Sequence, residues 1–171
     1  MNAFLSYTFI LFIGLSSAVL FFAACAIWLL TAAFDPRKIC LNLFSSFWAS
    51  IYTWLMPIWS VTIHGRHKMD MAKSYVVVCN HQSQLDILVA YRLFFPFRWV
   101  SKAEVFSLPF IGWNMLLNGY VKLKRGDKES IKLMMDQCEQ LLADNISIMI
   151  FPEGTRSQTG IVKPFKHGAF I

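Results

Sequence analysis

A chain of 171 residues that is 56% hydrophobic and only 15% charged has room for one domain and an appendage, not for two domains. It is also poorer in charge than the roughly 25% usual for a soluble domain. The net charge of +6 lies mostly beyond residue 64; beside an uncharged N-terminal third it points to anionic lipid headgroups or a phosphorylated substrate, and away from nucleic acid.

Residues 3–34 hold no charged side chain. A secretory signal fits poorly, because Met1 to Leu5 offers no basic start and the run far exceeds an apolar core of roughly 7–15 residues. A membrane helix fits better: about 20 apolar residues span a bilayer, and this run, at about 1.5 Å per residue, gives roughly 48 Å, so it must tilt, kink or protrude. Arg37 and Lys38 favour a cytoplasmic corner at 35–38. A second uncharged run covers 39–63. Pro57 interrupts it, and Trp48, Tyr52, Trp54 and Trp59 suit the headgroup layer, so an interfacial or re-entrant helix and a second span both stay open. Residues 1–63 therefore read as a membrane anchor and 64–171 as the folded domain, which places the protein at a membrane with its site on the cytoplasmic side.

Beyond the anchor the pattern alternates. Tyr75–Cys79 is a short β-branched run and predicts a buried strand. Ser83–Leu93 has helical spacing and stops before Pro96. Arg98–Ser101 suits a short strand, Phe106–Leu117 is apolar with Pro109 near its start, and Tyr120–Leu123 suits another strand. Lys128–Ala143 predicts an amphipathic helix with Ile131, Met134, Met135, Cys138, Leu141 and Leu142 on one face and Lys132, Asp136 and Glu139 on another. Ile146–Phe151 predicts a second buried strand closed by Pro152. Cys25, Cys79 and Cys138 fall in apolar or helical segments, which suits buried thiols in a reducing compartment rather than a disulfide framework. Strands alternating with helices imply an α/β fold with a mainly parallel sheet flanked by helices. Sites in such sheets collect beyond the carboxyl ends of strands. Two polar clusters lie at such ends: Asn80-His81-Gln82-Ser83-Gln84-Leu85-Asp86, and Pro152-Glu153-Gly154-Thr155-Arg156-Ser157.

An interval of five turns side chains by roughly 140° on a helix, so His81 and Asp86 meet only if the histidine sits in a turn and the aspartate one turn into the next helix. A polar helix cap is the plain alternative for His81. In the paired arrangement the carboxylate accepts the Nδ1 proton and leaves Nε2 as a proton acceptor. The chain has no Gly-x-Ser-x-Gly nucleophile elbow, so the proton comes from a bound substrate rather than an enzyme hydroxyl. A metal site built from His81, Asp86, Glu153 and His167 is the hydrolase alternative, but the spacings match no standard metal motif.

Four blocks in order carry a resemblance. Asn80–Asp86 is similar to a His-x4-Asp motif. Gly119-Tyr120-Val121-Lys122-Leu123-Lys124-Arg125 looks like a second block, Phe151–Ser157 matches a third residue for residue, and Val162–Phe170 resembles a fourth. Together they resemble the PlsC-like glycerolipid acyltransferases, most closely the 1-acylglycerol-3-phosphate O-acyltransferases. The resemblance spans 64–171 and, more loosely, a two-helix membrane anchor. It implies His81 as the base that takes the proton of a lysolipid hydroxyl, with Asp86 holding its tautomer. Arg125 and Arg156 would clamp the acceptor phosphate with help from Lys122 and Lys124, and Glu153, Gly154 and Thr155 would shape that pocket. For Lys122 and Lys124, a solvated or lipid-facing basic edge is the plain alternative. The implied partners are membrane lipids, lysophosphatidate and a fatty-acyl thioester on coenzyme A or acyl carrier protein as co-substrate, with no cofactor, metal or acyl-enzyme. Another lysolipid acceptor, or a non-catalytic membrane-anchored lipid-binding module, remains the alternative. Because the family domain runs on past the fourth block, the domain is expected to be C-terminally incomplete here.

Overall fold

The computed structural model describes residues 3–56, 59–157 and 159–166. Four parallel strands, β1 (Val76–Val78), β2 (Phe97–Lys102), β3 (Val121–Leu123) and β4 (Ser147–Ile150), form one sheet in the order β1-β4-β2-β3. Register is fixed by Val77 opposite Met149, Phe97 opposite Ser147 and Val100 opposite Val121. The helices are α1 (Ala3–Thr31), α2 (Ile39–Trp54), α3 (Leu85–Tyr91), α4 (Ile111–Asn118) and α5 (Lys128–Ala143).

Strand alternation divides the core in two, because successive side chains point to opposite faces. Phe97, Trp99 and Met149 join Tyr91, Phe106, Met115 and Tyr120 on the face covered by α2, α3 and α4. Ile148 and Val121 meet Cys138 of α5 on the other. The expected helix over 128–143 is found with those bounds. Asp127 Oδ1 caps its start by accepting the N–H groups of Glu129 (3.1 Å) and Ser130 (3.2 Å), and Asn145 at φ 58° ends it in the left-handed region. Its apolar face is only partly covered: Cys138 is buried while Ile131 stays exposed.

The first strand departs from expectation. Val76 and Val78 are exposed and only Val77 packs on the core. Among the described residues β1 is at the sheet edge with no helix over one of its faces, which an unbroken β-branched run does not reveal.

The two uncharged runs also resolve differently. Residues Tyr7–Thr31 of α1 are long and apolar enough to cross a membrane. The 16 residues of α2 make about 24 Å, short of a hydrocarbon core of about 30 Å. α2 lies along the domain with its polar side inward. Asn42, fully buried, donates Nδ2 to the Phe97 carbonyl (2.7 Å) and accepts the Phe97 N–H (3.2 Å). Ser45 Oγ accepts from Asn114 and Asn118, both at 3.1 Å. Tyr52 ties α2 to Ser16 of α1 at 2.9 Å. The interruption read at Pro57 lies outside the described residues.

Candidate active site

β1 ends at Val78, Cys79 N–H makes a further bond to the Ile150 carbonyl (3.2 Å), and the chain then turns through 80–84 into α3. Asp86, in the first turn of α3, folds back over this loop. Its Oδ2 accepts the N–H groups of Gln82 (2.7 Å) and Ser83 (2.8 Å) and meets His81 Nδ1 at 3.0 Å. The five-residue interval closes as expected, with the histidine in the turn and the aspartate on the helix. Burial works to raise the Asp86 carboxyl, but the Ser83 and Gln82 N–H groups and the His81 ring outweigh it and hold the group below its ordinary value. Nδ1 is occupied, so Nε2 is the nitrogen left to accept a proton.

The other strand end supplies the floor and the straps. The His81 ring lies on Phe151, centroids 3.9 Å apart and planes at 14°, and Phe151 lies on Trp99 at 5.1 Å. Glu153, 3% exposed, turns inward rather than toward a ligand. Its Oε1 accepts the His81 N–H (2.7 Å) and its Oε2 the Lys163 N–H (3.0 Å). Those two N–H groups, Lys163 first, keep its carboxyl below the usual range. Ser157 N–H donates to the His81 carbonyl (2.8 Å). Lys163 Nζ reaches the Arg156 carbonyl at 3.0 Å and Thr155 Oγ1 at 3.3 Å. The two polar clusters are thus one laced unit. Gly154, at φ 70°, adopts the left-handed region that the turn after Pro152 requires.

His81 opens onto a cleft of about 590 Å³ that Lys102, Arg125, Thr155 and Arg156 also line. Among the described residues neither Arg125 nor Arg156 pairs with a carboxylate, so both guanidinium groups stay available to an anion. Gly154 lines an adjoining groove of about 330 Å³ that shares Lys102 and Arg125 with the cleft. An apolar cavity of about 190 Å³ between α2, α3, α4 and β2 shares Ile87, Ser101 and Val105 with the cleft. Lys122 and Lys124 are not part of it. Lys122 Nζ stands 5.2 Å over the Phe106 ring on a separate groove beside Asp127, and exposed Lys124 pairs with Asp127 at 3.7 Å.

Two contributors went unread in the sequence. Lys102 ends β2 beside the cleft and pairs with Glu104 at 3.1 Å; the strand-end rule that found His81 could have found it. Lys163 falls inside the fourth block, but nothing local gives it a role, because its contacts are with Glu153, Thr155 and the Arg156 carbonyl. Within the fourth block, Lys166 N–H donates to the Pro152 carbonyl (2.9 Å), while His167–Phe170 lie outside the described residues. So does the fourth member of the metal alternative, His167. Among the described residues no three His, Cys, Asp or Glu side chains are grouped to hold a metal.

Known proteins resemble this chain in sequence and in fold. Residues 60–171 match the family model described as "Acyltransferase". The chain is 41% identical over 143 residues to a 1-acyl-sn-glycerol-3-phosphate acyltransferase of Chlamydomonas reinhardtii, covering 82% of this chain and 42% of that protein. It is 39% identical over 139 residues to a chloroplastic protein of the same name from Arabidopsis thaliana, covering 80% and 38%. The chain therefore spans about two fifths of the length of these curated relatives. The crystal structure of the 1-acyl-sn-glycerophosphate acyltransferase PlsC from Thermotoga maritima aligns with a TM-score of 0.62 at 21% identity, over 91% of this chain and 67% of that one. That likeness supports the parallel sheet flanked by helices, and the matched domain, more than half the chain, gives the conclusion: the chain belongs to the acyltransferase family.

Proposed function

We propose that the protein transfers a fatty-acyl group from an acyl thioester to the sn-2 hydroxyl of 1-acylglycerol 3-phosphate, giving phosphatidate. The reading rests on one observation: a carboxylate-held imidazole, His81 Nδ1 at 3.0 Å from Asp86, faces a cleft that also holds two unpaired arginines. In the step this supports, the acceptor hydroxyl oxygen attacks the thioester carbonyl while its proton passes to His81 Nε2. Collapse of the tetrahedral adduct breaks the C–S bond, and the departing sulfur takes the proton back from the imidazolium. Asp86 stays ionised and stabilises that imidazolium. Arg125 and Arg156 match a phosphomonoester with bidentate forks, and the apolar cavity joined to the cleft suits a hydrocarbon chain. Relatives named for this reaction support the choice of acceptor. The Arg37–Lys38 corner supports a site on the cytoplasmic side, and the donor is acyl-CoA or acyl carrier protein.

The test is the full chain in vesicles with labelled acyl-CoA, or acyl carrier protein, and a panel of lysophosphatidate, lysophosphatidylcholine and glycerol 3-phosphate. Labelled phosphatidate should form from lysophosphatidate and vanish in His81→Ala. Transfer that favours lysophosphatidylcholine, or persists in His81→Ala, overturns the reading.

A further inference from the structure

Between Glu104 and Lys122 no residue is charged, and α4, at the centre of that stretch, is built inside out. Its polar side chains Asn114 and Asn118 are buried against Ser45. Met115 is buried in the core and Ile111 lines the apolar cavity beside it, but the other side carries large apolar residues outward: Leu108, 48% exposed, just before the helix, then Trp113 at 44% and Leu116 at 46%. A helix bordering water places these the other way round. α2 likewise buries Asn42, Ser45 and Ser46, here beside Leu41, Trp48 and Tyr52, and leaves Phe47 and Trp54 exposed.

The flank is continuous with α1. The Phe21 ring packs on Phe110 at 6.0 Å and on Trp113 at 5.7 Å. Geometry then decides what covers it. Of α1, which begins at Ala3, the part before Phe21 measures about 27 Å, just under a hydrocarbon core of about 30 Å. The half from Phe21 to Thr31 exposes Phe22, Leu29 and Leu30 at 67%, 71% and 75%, which calls for the same immersion, and that half lies against α4. Immersion to that depth carries the outward face of α4 into the same layer, and Trp113 is the residue type that favours its boundary.

We propose that the outward face of α4, Trp113 and Leu116 with Leu108 just before it, is a second membrane contact, occupied by bilayer lipid. The domain then lies on its flank at the bilayer rather than hanging from α1 by a tether. The 3₁₀ turn Ala103–Ser107 runs from Lys102 at the cleft to Leu108 on the immersed face, so the cleft sits next to the headgroup layer.

The test needs no catalysis. The full chain carrying His81→Ala is reconstituted in phosphatidylcholine–phosphatidate vesicles doped with a phosphatidylcholine bearing a diazirine in its acyl chain. After photolysis, adducts are mapped by peptide mass spectrometry. Adducts should appear on α1 and on 108–116, and not on α5, where exposed Leu133 is the control for an apolar side chain in water. Leu116→Lys should cut the adducts on 108–116 by roughly tenfold while those on α1 and the thermal midpoint stay unchanged. Adducts on α1 with a bare 108–116, labelling of 108–116 no greater than that of Leu133, or undiminished labelling in Leu116→Lys each overturn the proposal.

Discussion

Replacing Asp86 with asparagine separates the charge of the pair from its shape. Asparagine keeps an oxygen where Oδ2 now accepts Gln82 and Ser83 N–H at 2.7 and 2.8 Å, so the loop retains its local bonds. What disappears is the negative charge 3.0 Å from His81 Nδ1, which matters when the ring becomes an imidazolium. Two unit charges at 3.0 Å in an effective dielectric near 20 attract by about 5 kcal/mol, an upper bound because the Asp86 side chain is 24% exposed. The difference between a charge-assisted and a neutral hydrogen bond, about 1–2 kcal/mol, sets the lower bound. A loss near 2–5 kcal/mol corresponds to roughly 30- to 5000-fold in kcat. Initial rates of labelled phosphatidate formation should fall within that range, with the KM for lysophosphatidate little changed, because the charge acts on the transition state. The thermal midpoint should move by only a few degrees, at about 2–4 °C per kcal/mol for a chain of this size. A kcat loss below about threefold with an unchanged midpoint would refute a pair that stabilises the imidazolium.

Arg156→Ala should lower kcat/KM for lysophosphatidate by roughly 10- to 150-fold while changing the KM of the thioester little, and Arg156→Lys should restore only part; equal loss for both substrates with a fallen midpoint would make Arg156 structural. Asp86 and Glu153 are both held below their ordinary values. The stability they lend is therefore complete above their unfolded values of about 4 and is lost as pH falls through the lower folded ones. Thermal midpoints measured from about pH 6 to pH 3 should drop along that limb, and Glu153→Gln should flatten it; an unchanged slope counts against the straps. Asn42→Ala leaves the Phe97 N–H and carbonyl without their partner and should cost about 2–4 kcal/mol by thermal denaturation, whereas a neutral result would mean α2 is a mere appendage. Prolonged chelation should leave the transfer rate intact, because Asp86 Oδ2 and both Glu153 oxygens are already filled by protein donors; loss of rate restored by zinc or manganese would return these carboxylates to a metal.

What the sequence made legible was local. The 128–143 helix was readable because its apolar and polar faces repeat within one window. The His81–Asp86 contact was readable because an interval of five fits only a turn followed by a helix. The strand-end rule placed both polar clusters at one rim before their contacts were known. What stayed hidden depends on partners distant in sequence. Sheet order puts β1 at the edge among the described residues, which a run of valines does not announce. Lys122 and Lys124 were drawn toward the cleft by their nearness to Arg125, yet Lys124 is held by Asp127 and Lys122 stands over Phe106. Glu153 reads as a pocket wall only through the resemblance, and nothing nearby in sequence shows that the His81 and Lys163 N–H groups will meet it. Ser45 of α2 has its partners in Asn114 and Asn118, about 70 residues on, so the run 39–63 alone could not decide between a span and a helix laid on the domain.

The bond between the His81 N–H and Glu153 joins positions 72 residues apart, and its second half waits on Lys163. Loop closure over such distances is slow, so this region forms after local helices and is lost with the whole sheet rather than piecemeal. A nascent chain therefore carries a formed α1 and α5 well before it carries a poised imidazole. The His81 ring is poised only once β1 and β4 have paired. Amide hydrogen exchange at His81 and the loss of activity in denaturant should consequently follow one and the same transition.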